Sequence, residues 1–140
     1  CEMSPEKSQV IPSLCRKAIK FPEEEFIVWG SGEQRRAFLY VEDVVDAIQA
    51  LLEKGMNNGV IQIGPNESVS IADIAKKIVT LSGKDINIQF DKSKPEGDKD
   101  RSADSSKALK IIGWTQKISI DEGLNLTYQW ASANLNKSLI

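Results

Sequence analysis

The chain has 140 residues, enough for one compact domain with a real core and too few for two ordinary ones. Eighteen basic against twenty acidic side chains leave a net charge of −2, which gives no electrostatic argument for binding nucleic acid or an anionic membrane. The sequence contains no His, which removes Ser-His and Cys-His nucleophilic catalysis and most zinc chemistry.

The first residues, Cys1 to Glu6, have neither the basic start nor the apolar centre of a signal peptide, and no later apolar run reaches membrane-spanning length. The chain begins on Cys rather than Met, so the expected reading is a fragment of a cytoplasmic protein. Cys1 and Cys15 make neither a disulfide framework nor a zinc signature, which agrees with a reducing compartment.

Ser8 to Lys20 reads as a helix, with Val10, Leu14 and Ala18 at four-residue spacing. Phe26 to Trp29 reads as a short strand ended by Gly30-Ser31-Gly32, and a glycine-containing hairpin then leads to a second strand, Ala37 to Tyr40. A helix from Glu42 to Lys54 carries an apolar stripe of Val44, Val45, Ile48, Leu51 and Leu52. Gly55 and the Asn57-Asn58-Gly59 turn stop it. Val60 to Ile63 alternates as a strand, and Ser70 with Asp73 forms a capping box for a helix that Gly83 closes. Ile86 to Phe90 alternates again. Between Asp91 and Arg101 eight of eleven residues are charged, predicting a solvated loop that is mobile when empty. A short helix covers Ser105 to Ile112, ending at Gly113-Trp114. Ser119 and Glu122 then open a last helix bearing Leu124, Tyr128, Ala131 and Leu135, whose tail at 136–140 should fray. The fold class is α/β, a single domain over 1–140 with short strands and about five helices.

Gly30-Ser31-Gly32 begins like a dinucleotide fingerprint, but Arg35 stands at the third glycine position and a strand, not a helix, is expected to follow. A dinucleotide cradle needs a helix N-terminus aimed at the pyrophosphate, so that reading fails. Arg35 and Arg36 point to opposite faces of a strand, and only one can face a given pocket. A guanidinium there suits bidentate capture of a diphosphate, although a solvated surface arginine is the plainer alternative. Asp43 and Asp46 complement the dipole at a helix start, and Glu23-Glu24-Glu25 reads as a solvated turn. Trp29, Trp114 and Trp130 read as buried anchors rather than base-stacking platforms.

Three stretches carry a resemblance. Gln34-x-Arg36-x-Phe38-x-Tyr40-Val41-x-Asp43-Val44, Asn66 to Ile71, and Lys94-Pro95-Glu96-Gly97 followed by Arg101-x-Ala103-Asp104 and Gly113-Trp114 occur in order. Together they resemble the extended short-chain dehydrogenase/reductase enzymes that epimerise or dehydrate nucleotide sugars. Cys15-Arg16-Lys17-Ala18 and Phe26 to Gly32 resemble the GDP-mannose 3,5-epimerase-like branch most. The resemblance implies the C-terminal, nucleotide-sugar-binding portion of such a fold, with the Rossmann half missing. It implies that Arg36 contacts the substrate's diphosphate and that Arg101 closes over it. Lys94 stands where many relatives carry Arg, keeping the charge but losing the planar fork. Gln9, Val10 and Ile11 would lie against the base, with Val10 serving equally well as a core residue. The basic lysine expected near Gln9 in the double-epimerase branch has no aligned counterpart, Lys7 being the nearest.

The family's chemistry uses NAD and a Tyr-x-x-x-Lys pair, in which the lysine lowers the tyrosine pKa so that the phenolate takes a hydroxyl proton. Tyr40 is followed at that spacing by Val44, and Tyr128 by Ser132. No cofactor site, metal site or catalytic base is therefore expected in this chain, whose partner would be a nucleotide-diphosphate sugar. The alternative is a free-standing, non-catalytic binding or interaction module that kept the fold. In the family the helix over 42–54 packs on the dinucleotide-binding sheet. Burying its five apolar side chains is worth about 1.5–3 kcal/mol each, so the isolated chain should repack that helix on its own sheet or form a homodimer through it.

Overall fold

A computed structural model of the chain describes residues 3, 4 and 7–135, so Cys1 and the tail at 136–140 lie outside the described residues. Among the described residues there are five α-helices: α1 Val10–Lys20, α2 Val41–Ala50, α3 Ile71–Ser82, α4 Ser106–Ile112 and α5 Ile120–Leu135. The strands are short: β1 Ile27–Trp29, β2 Arg35–Arg36, β3 Val69–Ser70, β4 Gln89–Asp91 and β5 Asp100–Arg101. This is the α/β class expected, but the strands pair differently. β1 lies parallel to β4, while β2 lies between antiparallel β3 and parallel β5.

The anticipated hairpin across Gly30-Ser31-Gly32 is thus absent, because its two arms enter different sheets. The second arm is also paired earlier than expected, at Arg35 and Arg36, whose Cα partners are Ser70 and Val69 on one side and Asp100 and Arg101 on the other. Val60 to Ile63 forms no strand. It is held by Lys107, whose Nζ donates to the carbonyls of Asn58 and Val60 at 2.7 Å each.

The main core lies where α1, α3 and α5 meet beneath β1. Leu14, Cys15 and Ala18 of α1 pack against Ile74, Ala75 and Ile78 of α3 and Leu124 and Ala131 of α5, with Phe26 and Val28 alongside. The four-residue apolar spacing on each helix is what brings these residues to one side. Ser70 caps α3 as its sequence predicts, its hydroxyl accepting from the Asp73 amide at 3.0 Å while donating to Asp73 Oδ2 at 2.7 Å. Ser70→Ala is expected to destabilise the chain by about 1 kcal/mol in urea unfolding, with Ser70→Asp restoring most of it.

A smaller cluster, Ala47 with Ala108, Ile112 and Trp114, joins α2 to α4. α2 runs on into a π-helical turn, Leu51–Gly55. Of its expected apolar stripe, Leu51 packs against this cluster and Val44 is half-buried. Asp43 and Ala47 turn inward, leaving Val45, Ile48 and Leu52 exposed together with Val41 and, past the helix end, Met56, Leu52 by 67%. Only Trp114 of the three tryptophans is buried; Trp29 and Trp130 are 57% and 44% exposed.

Candidate functional site

A cavity of about 570 Å³ opens between α1, β1, β2 and the segment after β4. Gln9, which precedes α1, and Ser13 and Lys17 within it line the cavity, spaced four apart along one side. Trp29 and Gln34 flank the glycine turn, Arg36 projects from β2, and Pro95 and Glu96 close the far wall.

The register of β2 decides which arginine faces inward. Arg35 turns away, its Nε donating to Ser68 Oγ at 3.1 Å and its Nη2 to the Ser68 carbonyl. Arg36 lines the cavity. Its Nη1 donates to the carbonyls of Arg35 and Asp98 at 2.7 Å each, and its Nη2 to the Glu96 carbonyl at 3.4 Å. Arg101 is the Cα partner of Arg36 across the parallel pair, but its guanidinium is held by Asp98 at Nε–Oδ2 2.6 Å and does not line the cavity. Lys94 sits over the Trp29 ring, 5.6 Å from its centroid.

Of the residues expected at the site, Gln9, Val10 and Arg36 line the same cavity, and Lys94 reaches it through Trp29. Ile11 does not. Successive helical residues point about 100° apart, so Val10 and Ile11 face different spaces, and Ile11 lines a separate small cavity with Phe38 and Tyr40.

Lys17 was missed by sequence reading, although the four-residue polar row Gln9, Ser13, Lys17 marks it. Its Nζ donates to the Ile27 carbonyl at 2.5 Å. Burial lowers its pKa below the ordinary lysine value, with Arg16 acting in the same sense and the Glu24 carboxylate opposing. Arg16 also lines the cavity but is buried and engaged by Glu24, the Met3 carbonyl and Ser8 Oγ. That contact holds Glu24 below the usual carboxylate range. The expected solvated turn at Glu23-Glu24-Glu25 therefore supplies one structural ion pair.

Burial pushes the Cys15 thiol up to about 12, which keeps it protonated and unreactive at neutral pH. Tyr128 is also raised by burial. Neither lines the cavity. The first amides of α3, which approach the glycine turn, are spent on it: Ile71 N–H donates to the Gln34 carbonyl at 3.0 Å and Ala72 N–H to that of Gly32 at 2.9 Å. No free helix N-terminus remains there to receive a pyrophosphate.

The sequence model of the family described as GDP-mannose 4,6 dehydratase matches residues 4–127. The chain belongs to that family. GDP-L-fucose synthase 1 of Arabidopsis thaliana is 37% identical over 134 residues, covering 94% of this chain and 41% of that protein. GDP-mannose 3,5-epimerase of the same plant is 29% identical over 125 residues, covering 89% of this chain and 32% of that protein. The crystal structure of UDP-glucose 4-epimerase from Thermotoga maritima with UDP-glucose superposes with a TM-score of 0.85 at 29% identity, over 95% of this chain and 42% of that one. The chain thus spans well under half the length of these relatives. Family members are nucleotide-sugar epimerases and dehydratases, and the small α/β fold seen here is part of theirs. No helix among the described residues is long and apolar enough to cross a membrane.

Proposed function

We propose that this chain is the nucleotide-diphosphate-sugar-binding portion of an NAD-dependent epimerase or dehydratase, holding the diphosphate in the cavity beside α1. The carrying observation is a cavity of about 570 Å³ walled by Arg16, Lys17 and Arg36 against a single carboxylate, Glu96. That volume suits a small-molecule ligand, and that charge suits a diphosphate. Arg36 supplies a planar fork, and Lys17 supplies a compact cation on the opposite wall. The half-exposed Trp29 offers a flat apolar surface to a base. NAD and the phenolate base of the reaction are assigned to parts of the enzyme outside these residues, so the chain alone binds without turning over.

The test is calorimetric titration with GDP-mannose, GDP-fucose and UDP-glucose. Micromolar binding of at least one is expected, and the absence of binding to all three overturns the reading in favour of a non-catalytic interaction module. The exposed row from Val41 to Met56 supports self-association of the isolated chain through α2. Sedimentation velocity is expected to show a dimer that Ile48→Glu converts to a monomer; a monomeric natural chain removes that part of the proposal.

A further inference from the structure

Residues 92–99 connect β4 to β5 and so bridge the two sheets. The segment is as charged and exposed as its sequence predicts, yet it is fastened to the cavity wall. Glu96 Oε1 accepts from the Ser31 N–H at 2.6 Å. Arg36 donates to the carbonyls of Glu96 and Asp98. Two glycines make room for this approach. Gly30 has φ +83°, and a Cβ there would sit 2.5 Å from Glu96 Cγ; Gly97 has φ +71°, and a Cβ there would sit 3.3 Å from Arg36 Nη2.

Glu96 is the single carboxylate among the described residues lining the cavity. It holds a backbone N–H of the glycine turn and lines the same cavity as Arg36 and Lys17, the cations that a phosphate oxygen would seek. We propose that Glu96 is a resident anion that latches the 92–99 segment over the cavity, and that a diphosphate entering the site displaces it. The displacement rests on the diphosphate reading above. Two anions cannot share so small a space without repulsion. A diphosphate that claims the Arg36 fork also takes donors from the Glu96 and Asp98 carbonyls. Ligand entry therefore loosens the segment at both fastenings, and the latch lowers the affinity of the closed, empty chain.

Amide hydrogen exchange and GDP titration on the natural chain, Glu96→Ala and Glu96→Gln test this. The Ser31 amide and those of residues 96–99 are expected to exchange roughly tenfold faster in Glu96→Ala, because the carboxylate that holds Ser31 is gone. Glu96→Gln keeps an acceptor for Ser31 and loses the charge, so its exchange changes less while GDP binds roughly tenfold tighter and associates faster. Adding GDP to the natural chain is expected to speed exchange at Ser31. Unchanged Ser31 exchange in Glu96→Ala overturns the latch. Equal or weaker GDP binding to Glu96→Gln overturns the displacement. If none of the three proteins binds GDP, the diphosphate reading and the displacement fail together, and the exchange result still decides the latch.

Discussion

Asp43→Ala is expected to destabilise the chain by about 2–4 kcal/mol, read as a lower urea midpoint at unchanged slope. Asp43 is 1% exposed at the start of α2. Its Oδ1 accepts from the Lys117 N–H and its Oδ2 from the Ile118 N–H, both at 3.0 Å, and its own carbonyl accepts from Trp114 Nε1 at 3.0 Å. One residue therefore ties the segment between α4 and α5 to α2. Removing the carboxylate leaves two amides without partners in a partly buried place, which costs more than the bonds themselves are worth. Asp43→Asn retains one acceptor and is expected to lose about half as much. Asp46, which pairs with Lys117 at the surface, is the control; Asp46→Ala should leave the midpoint near that of the natural chain. If Asp43→Ala behaves like that control, the clamp is not what holds this segment.

Asp43 also shows how far sequence reading reached. Its place at a helix start was legible, and the dipole account of it holds as far as it goes. Its carboxylate, however, is claimed by amides more than seventy residues later. Capping and stop signals are legible locally: the Ser70 cap, and the Gly83 and Gly113 stops in left-handed geometry, each depend on a few neighbouring residues. Strand pairing depends on distant residues. Strands of two or three residues have too little alternation to declare a face, so β2 was placed late and the glycine turn was taken for a hairpin. The same cause hid the orientation of Trp29. An apolar strand residue next to Val28 alternates away from the core, and only the pairing of β1 with β4 shows which of the two is inside. The charged segment was read from composition, which predicts exposure correctly but says nothing about Glu96 finding Ser31 across the chain.

Arg36→Ala is expected to weaken binding of a nucleotide-diphosphate sugar by roughly tenfold to a hundredfold, the range for removing one charged hydrogen-bonding partner of an anion. Strand alternation alone leaves two adjacent arginines and the family resemblance picks Arg36; in the structure Arg36 lines the cavity and Arg35 does not. Arg35 is committed to Ser68, so Arg35→Ala should change affinity little. Arg36→Lys tests the shape of the charge: a lysine restores the cation without the fork, and partial recovery is expected. A structural role must be separated from a binding role, because Arg36 also fastens the segment over the cavity through the carbonyls of Glu96 and Asp98. Salt provides the separation. Screening weakens ion pairing with a bound diphosphate but leaves neutral carbonyl contacts nearly untouched. Raising the ionic strength should therefore lower the affinity of the natural chain more steeply than that of Arg36→Ala. Equal salt slopes with a large loss of affinity would assign Arg36 to the wall rather than to the ligand, and unchanged affinity would move the diphosphate away from β2 altogether.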